Sequence, residues 1–155
     1  MSQAPNAAPS AAEPLPCTGA RLRRLSRRMT VFYEQHLRRE GLSLPQYSLL
    51  MHLSEAGQPL MALAERMEMD RTTLTRALKP LEAAGWVSAQ PGQDARVRLF
   101  ALTAAGRDRR RDAHACWVEA QLALEAAIGR DFVERLNQSL EEALARLKPA
   151  LPPEN

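Results

Sequence analysis

Long apolar runs are missing from this sequence, and so are the residue patterns on which most catalysis is built. No stretch approaches the roughly 18 consecutive apolar residues of a membrane-spanning helix, so the chain is expected to be neither embedded in a membrane nor secreted. Only two cysteines, Cys17 and Cys116, occur in 155 residues. Separated by most of the chain, they form neither a disulfide framework nor a paired-cysteine metal site, which agrees with a reducing, cytoplasmic location. There is no Gly-rich phosphate loop, no paired-histidine zinc helix and no serine elbow; no cofactor is implied, and an enzyme is not expected. His114 and Cys116 stand two residues apart on an expected helix and so project to nearly opposite sides, which prevents them from sharing a metal or acting as a nucleophile–base pair.

Residues 1–16 contain Pro5, Pro9, Pro14 and Pro16 among many alanines, without the basic start and continuous apolar segment of a secretory signal. Residues 1–18 are therefore expected to form a disordered arm, and 149–155, with Pro149, Pro152 and Pro153, a flexible tail. Between them, a chain that is 45% hydrophobic is long enough for a single domain over 19–148. The formal charge of +3 permits a nucleic-acid partner without demanding one, so the distribution of charge has to decide.

The most informative stretch runs from Pro59 to Gly106. Leu60, Leu63, Ala64 and Met67 repeat at helical spacing, Asp70 is placed to cap a second helix, and Leu74, Ala77, Leu78 and Leu81 supply that helix with an apolar stripe. Its opposite side carries Thr72, Thr75, Arg76 and Lys79. Arg and Thr on an exposed helix face suit guanine edges, thymine methyls and phosphates, which is what a helix lying in a major groove needs. Gly85 ends this helix; Trp86 to Gln90 reads as a strand, Pro91-Gly92-Gln93-Asp94 as a turn, and Arg96 to Leu102 as the returning strand. Pro80 lies inside the reading helix, deletes the hydrogen bond to the Arg76 carbonyl and predicts a bend there, which leaves Lys79 as a phosphate candidate only. The expected fold is mainly α with a small β-hairpin wing: a winged helix-turn-helix over 44–106, flanked by long N- and C-terminal helices.

Those flanking helices are amphipathic. Over 19–40, Leu22, Leu25, Met29, Phe32, Tyr33 and His36 follow three-four spacing, and Arg21, Arg23, Arg24, Arg27 and Arg28 crowd the start. Basic residues there oppose the helix dipole and read as a solvated face rather than a phosphate site. Gly41 ends this helix, and Ser43 caps the next with Pro45 in its first turn. Over 107–148, Thr103 caps a helix that begins with Arg107, Arg109, Arg110 and Arg111 and then turns apolar; after the break at Gly129, Phe132, Leu136, Leu140, Ala143 and Leu147 continue the pattern. Such stripes at both ends of a small reading module have little to cover within one chain, so Leu22, Leu25, Leu136, Leu140 and Leu147 are expected to meet a second copy in a homodimer.

The run Leu44-Pro45-Gln46-Tyr47, then Asp70-Arg71-Thr72-Thr73-Leu74-Thr75-Arg76, then Asp94-Ala95-Arg96 followed by Leu102-Thr103-Ala104-Ala105-Gly106 resembles the signature of MarR-type transcriptional regulators, in order and spacing, from about Gly19 to Leu147. The resemblance implies a dimeric regulator, a repressor by preference, that binds a pseudo-palindromic double-stranded operator and releases it when a small phenolic or lipophilic effector, or an oxidant, acts on it. It implies that Thr72, Thr73, Thr75 and Arg76, with Arg71 before them, face bases and phosphates, that Arg96 enters the minor groove with Asp94 bracing it, and that Arg98 belongs to the same DNA-binding set. Effectors in such proteins sit where the dimerisation helices meet the reading heads, which makes Tyr33, His36, Tyr47 and Trp117 the candidates here. The redox alternative rests on Cys17, although counting back from Pro45 places the family's peroxide-sensing cysteine nearer Gly19. A metal-responsive alternative rests on His36, His52 and His114, with no accompanying cysteine or carboxylate cluster.

Overall fold

A computed structural model describes residues 17–92, 94 and 97–148. Helix α1 spans Thr18–Leu37 and tightens into a 3-10 turn at Arg38–Glu40, where Gly41 reverses the chain. Helix α2, Leu44–His52, begins with a full capping box: the Gln46 backbone N–H donates to the Ser43 hydroxyl at 3.3 Å, and the Ser43 N–H donates to the Gln46 side chain at 2.9 Å. Two of the orphan donors of the helix start are thereby satisfied. Helices α3 (Leu60–Arg66) and α4 (Arg71–Ala83) form the helix-turn-helix. Pro80 lies within α4, which continues past it to Ala83.

The end of α4 shows why Gly85 is needed. The N–H of Gly85 donates to the Glu82 carbonyl at 2.9 Å and that of Trp86 to the Leu81 carbonyl at 3.0 Å, closing a Schellman motif with Gly85 at φ 72°, a backbone region that glycine enters without steric cost. Strands β2 (Val87–Pro91) and β3 (Arg98–Leu102) follow as an antiparallel hairpin in which Val87 pairs with Leu102 and Pro91 with Arg98. A third strand not expected from the sequence, β1 at Gln58–Pro59, pairs with the other edge of β3, Gln58 opposite Phe100, giving the order β1-β3-β2. Two residues carry no readable alternation; this strand exists because β3 offers it an edge and because Gln58, itself buried, donates its side-chain amide to the His52 carbonyl at 2.8 Å.

Helix α5 runs from Ala104 to Ile128, capped by Thr103, whose side chain accepts from the Gly106 N–H, and α6 runs from Arg130 to Leu147 beyond Gly129. The core gathers Leu37 of α1, Leu49 and Leu50 of α2, Leu63 of α3, Leu74, Leu78 and Leu81 of α4, Val87, Phe100 and Leu102 of the hairpin, and Ala113 and Cys116 of α5. These apolar residues centre on the reading module, and burial of this kind, at roughly 25 cal/mol per Å² of apolar surface, is what holds α4 and the hairpin in place.

The outer helices are used differently. Leu37 is the one described residue of α1 that is fully buried, and in α6 the buried position is Val133. Phe132, on the apolar stripe of α6, is 50% exposed, as Leu144 and Leu147 are to a similar degree. Leu22 is exposed, and Leu25, Leu136 and Leu140 are half-buried. No described helix is long and apolar enough to cross a membrane.

Candidate nucleic-acid interface

The reading face is built on the start of α4. The Asp70 carboxylate accepts from the backbone N–H of Thr73 at 2.9 Å and from the Thr73 hydroxyl. These bonds, the hydroxyl's first, hold the Asp70 carboxyl below its ordinary range, because hydrogen bonding to the charged form favours it. The cap fixes the first turn, and along it Arg71, Thr72, Thr73, Arg76 and Lys79 are exposed while Leu74 and Leu78 anchor the other side in the core. Thr75 is half-buried, and its hydroxyl donates to the Arg71 carbonyl at 2.7 Å. The hydroxyls of Thr73 and Thr75 are thus engaged within the helix. Arg71, Arg76 and Lys79 take part in no ion pair among the described residues. A helix start bearing uncompensated guanidinium groups, with no acid in its first turn beyond the cap, presents a concentrated positive field.

Beside this face stands the hairpin. Its tip is closed by the Gly92 N–H donating to the Val97 carbonyl at 2.7 Å and the Val97 N–H donating to the Asp94 carbonyl at 2.9 Å. Arg96, with Gln93 and Ala95, lies outside the described residues, so the expected pairing of Asp94 with Arg96 is a matter for experiment. Arg98 opens β3 opposite Pro91, at the tip end of the hairpin, and is engaged there, 3.6 Å from Glu82 of α4 and with its guanidinium 5.5 Å from the centre of the Phe100 ring. It braces the wing against the reading helix while staying largely exposed.

Where α2 meets α5 the structure brings together two of the four effector candidates, Tyr47 and Trp117, and adds His114. The Tyr47 hydroxyl and His114 Nδ1 share a 2.9 Å hydrogen bond, and the Trp117 ring stacks on both His114, at 5.5 Å between centroids, and Tyr47, at 6.2 Å. Burial pushes the Tyr47 phenol up to about 12. Tyr33 is engaged elsewhere: its hydroxyl donates to Gln121 at 2.7 Å, and burial, then the Glu125 charge, raise its pKa. His36 sits beside Phe32 on α1, with ring centroids 6.1 Å apart. His114 was legible in the sequence only as a possible metal ligand; its role as the partner of Tyr47 has no local signal, because the two are 67 positions apart. His52 is tied to the Ser48 carbonyl at 2.8 Å, so the three histidines occupy three different surroundings. Among the described residues no group of three metal-ligating side chains is placed to hold an ion. Cys17 is exposed at the start of α1 and Cys116 is buried.

The basic start of α5 also has a function that sequence reading missed. Arg107 and Arg110 both reach Glu55, at 3.5 and 3.8 Å, and Arg110 donates to the Leu53 carbonyl at 3.3 Å. These arginines fasten α5 to the reading module rather than facing a ligand.

The sequence matches the family model described as MarR family over residues 40–96. Comparison with curated protein sequences returns no match. Among solved structures, the chain is similar to the M. tuberculosis transcriptional regulator MosR in complex with DNA, at 31% identity and a TM-score of 0.72, covering 86% of this chain and 99% of that one. It is also similar to a MarR-family transcriptional regulator from Rhodococcus sp. RHA1, at 24% identity and a TM-score of 0.70, over 81% and 90% of the two chains. The S. aureus MepR–DNA complex shares the fold at 19% identity and a TM-score of 0.73, over 84% of this chain and 98% of that one.

Proposed function

We propose, for a chain that belongs to the MarR family of DNA-binding transcription regulators, that it works as a homodimeric repressor of a pseudo-palindromic operator and is released by a small aromatic effector. The observation that carries the DNA half is the start of α4, where Arg71, Thr72, Arg76 and Lys79 stand exposed and, among the described residues, without ion pairs, next to the wing. In this reading α4 lies in the major groove: Arg76 contacts a base edge, Thr73 and Thr75 offer methyls to thymine, Arg71 and Lys79 meet phosphates, and Arg96 at the wing tip reaches the adjacent minor groove. The effector half is supported by the stacked Tyr47, His114 and Trp117 at the joint between reading module and long helix, a place where an aromatic guest would alter the angle between the two. Expression in the cytoplasm and action on DNA, without catalysis, complete the reading.

The test is a pair of variants. Arg76→Ala is expected to relax sequence preference and weaken binding by about 1–3 kcal/mol, as loss of one bidentate base contact does. Arg96→Ala is expected to weaken binding across sequences and to reduce the salt slope by about one unit. Unchanged affinity in both variants would contradict the assignment of α4 and the wing.

A further inference from the structure

Arg109 connects two parts of the molecule that the chain itself keeps apart. Its Nη1 donates to the Glu40 carboxylate at 2.7 Å and to the Glu40 backbone carbonyl at 3.1 Å, while its guanidinium lies 5.1 Å from the centre of the Trp86 ring. Glu40 closes the turn at the end of α1, and Trp86 is the residue from which the wing departs. We propose that Arg109 is a positioning residue that sets the wing against the α1–α5 pair, so that binding of DNA by the wing depends on a contact remote from the DNA. The proposal rests on the reading above that the wing reaches DNA.

Three observations carry it. Trp86 is already fixed to its neighbours through its backbone: its N–H donates to Leu81 and its carbonyl accepts from the Thr103 N–H at 3.1 Å. The base of the wing is therefore held to α4 and to the start of α5 whether or not Arg109 is present, and what Arg109 adds is the link to α1. Second, the Arg109 and Glu40 side chains are 34% and 24% exposed, against 70% and 64% for the neighbouring Arg111–Asp108 pair, so this contact is screened less by solvent and salt. Third, only a guanidinium can donate in-plane to a carboxylate and a carbonyl while laying its face on an indole; the ammonium of lysine does one or the other.

The experiment measures affinity of the full chain for a duplex carrying a site enriched from a random pool, with Arg109→Met, Arg96→Ala and the double variant, each checked for an intact fold by circular dichroism. Arg109→Met keeps an apolar body over Trp86 and removes the polar link. It is expected to weaken binding roughly 2- to 30-fold, the range by which residues away from a ligand modulate coupling, and to have no further effect once Arg96 is gone. Arg109→Lys should fall between. Unchanged affinity of Arg109→Met while Arg96→Ala weakens binding would overturn the role of Arg109 alone; losses that multiply in the double variant would overturn it too, since Arg109 would then act other than through the wing. Unchanged affinity of Arg96→Ala would overturn the wing reading and this inference with it. If Arg109→Met does not fold, Glu40→Ala removes the carboxylate half of the same link from the other side, leaving the backbone bond and the stack in place, and the same outcomes apply at smaller size.

Discussion

Tyr47 places its ring in the core and its hydroxyl on His114, and that position makes part of the stability depend on alkaline pH. The ordinary phenol value is 10.0 and burial raises that of Tyr47 to about 12, so the folded state holds its proton where the unfolded state releases it. For an acid whose folded value is raised, the associated stability is complete below the unfolded value and is lost as pH climbs from about 10 towards about 12. Ultraviolet titration of the folded protein is expected to show few phenolate groups at pH 10, since Tyr33 is raised as well, and Tyr47→Phe should remove the uppermost step. Both tyrosines ionising near 10 with the fold intact would contradict the buried placement. The same residue illustrates the reach of sequence reading at this scale: Tyr47 and Trp117 were singled out separately through the family resemblance, and their stacking with His114 was not legible, because nothing local announces a contact across 67 positions.

Among the elements, signals that act within one turn were read correctly. Asp70 at the start of α4, Ser43 at α2, Thr103 at α5 and the stop at Gly85 all depend on backbone groups a few residues away, whereas the Gln46 half of the α2 capping box was not read. What depended on distant partners was missed or misplaced. Strand β1 exists only through β3, and the arginines opening α5 are struts because Glu40, Glu55 and Trp86 happen to lie beside them. Gly106 marks the tightest of these distant joints. A Cβ built there would stand 1.9 Å from the Trp86 carbonyl oxygen, and a backbone atom hydrogen-bonded to Thr103 has little room to yield. Gly106→Ala is therefore expected to destabilise the protein by at least about 1–3 kcal/mol, the usual range for forcing extra volume into a packed site, and to loosen wing from long helix. A denaturant titration checks this, and a midpoint equal to that of the wild type would show the joint to be softer than the geometry implies.

For the whole molecule, the division of labour is between a well-filled reading module and long helices with apolar residues left over. Leu22, Phe132, Leu144 and Leu147 are each at least 44% exposed, in a chain where Leu74, Leu78 and Leu81 are entirely buried; apolar side chains left over on long helices suit an interaction surface. The homodimer proposed here covers it with the same helices of a second copy, and it also meets a geometric need, since two reading helices must stand roughly one helical turn, ~34 Å, apart to reach successive major grooves. Leu140→Glu, placed on the half-buried part of α6, is expected to yield monomer by light scattering and to lose tight DNA binding at the same time. Monomer that still binds tightly would separate the two properties. The central claim, that a two-fold pair of α4 helices reads a specific duplex with the wings alongside, is tested most directly by selecting bound DNA from a random pool with the wild-type protein: the account predicts an enriched site with two inverted half-sites about one helical turn apart, and enrichment of a single unrepeated half-site, or of no sequence at all, would contradict it.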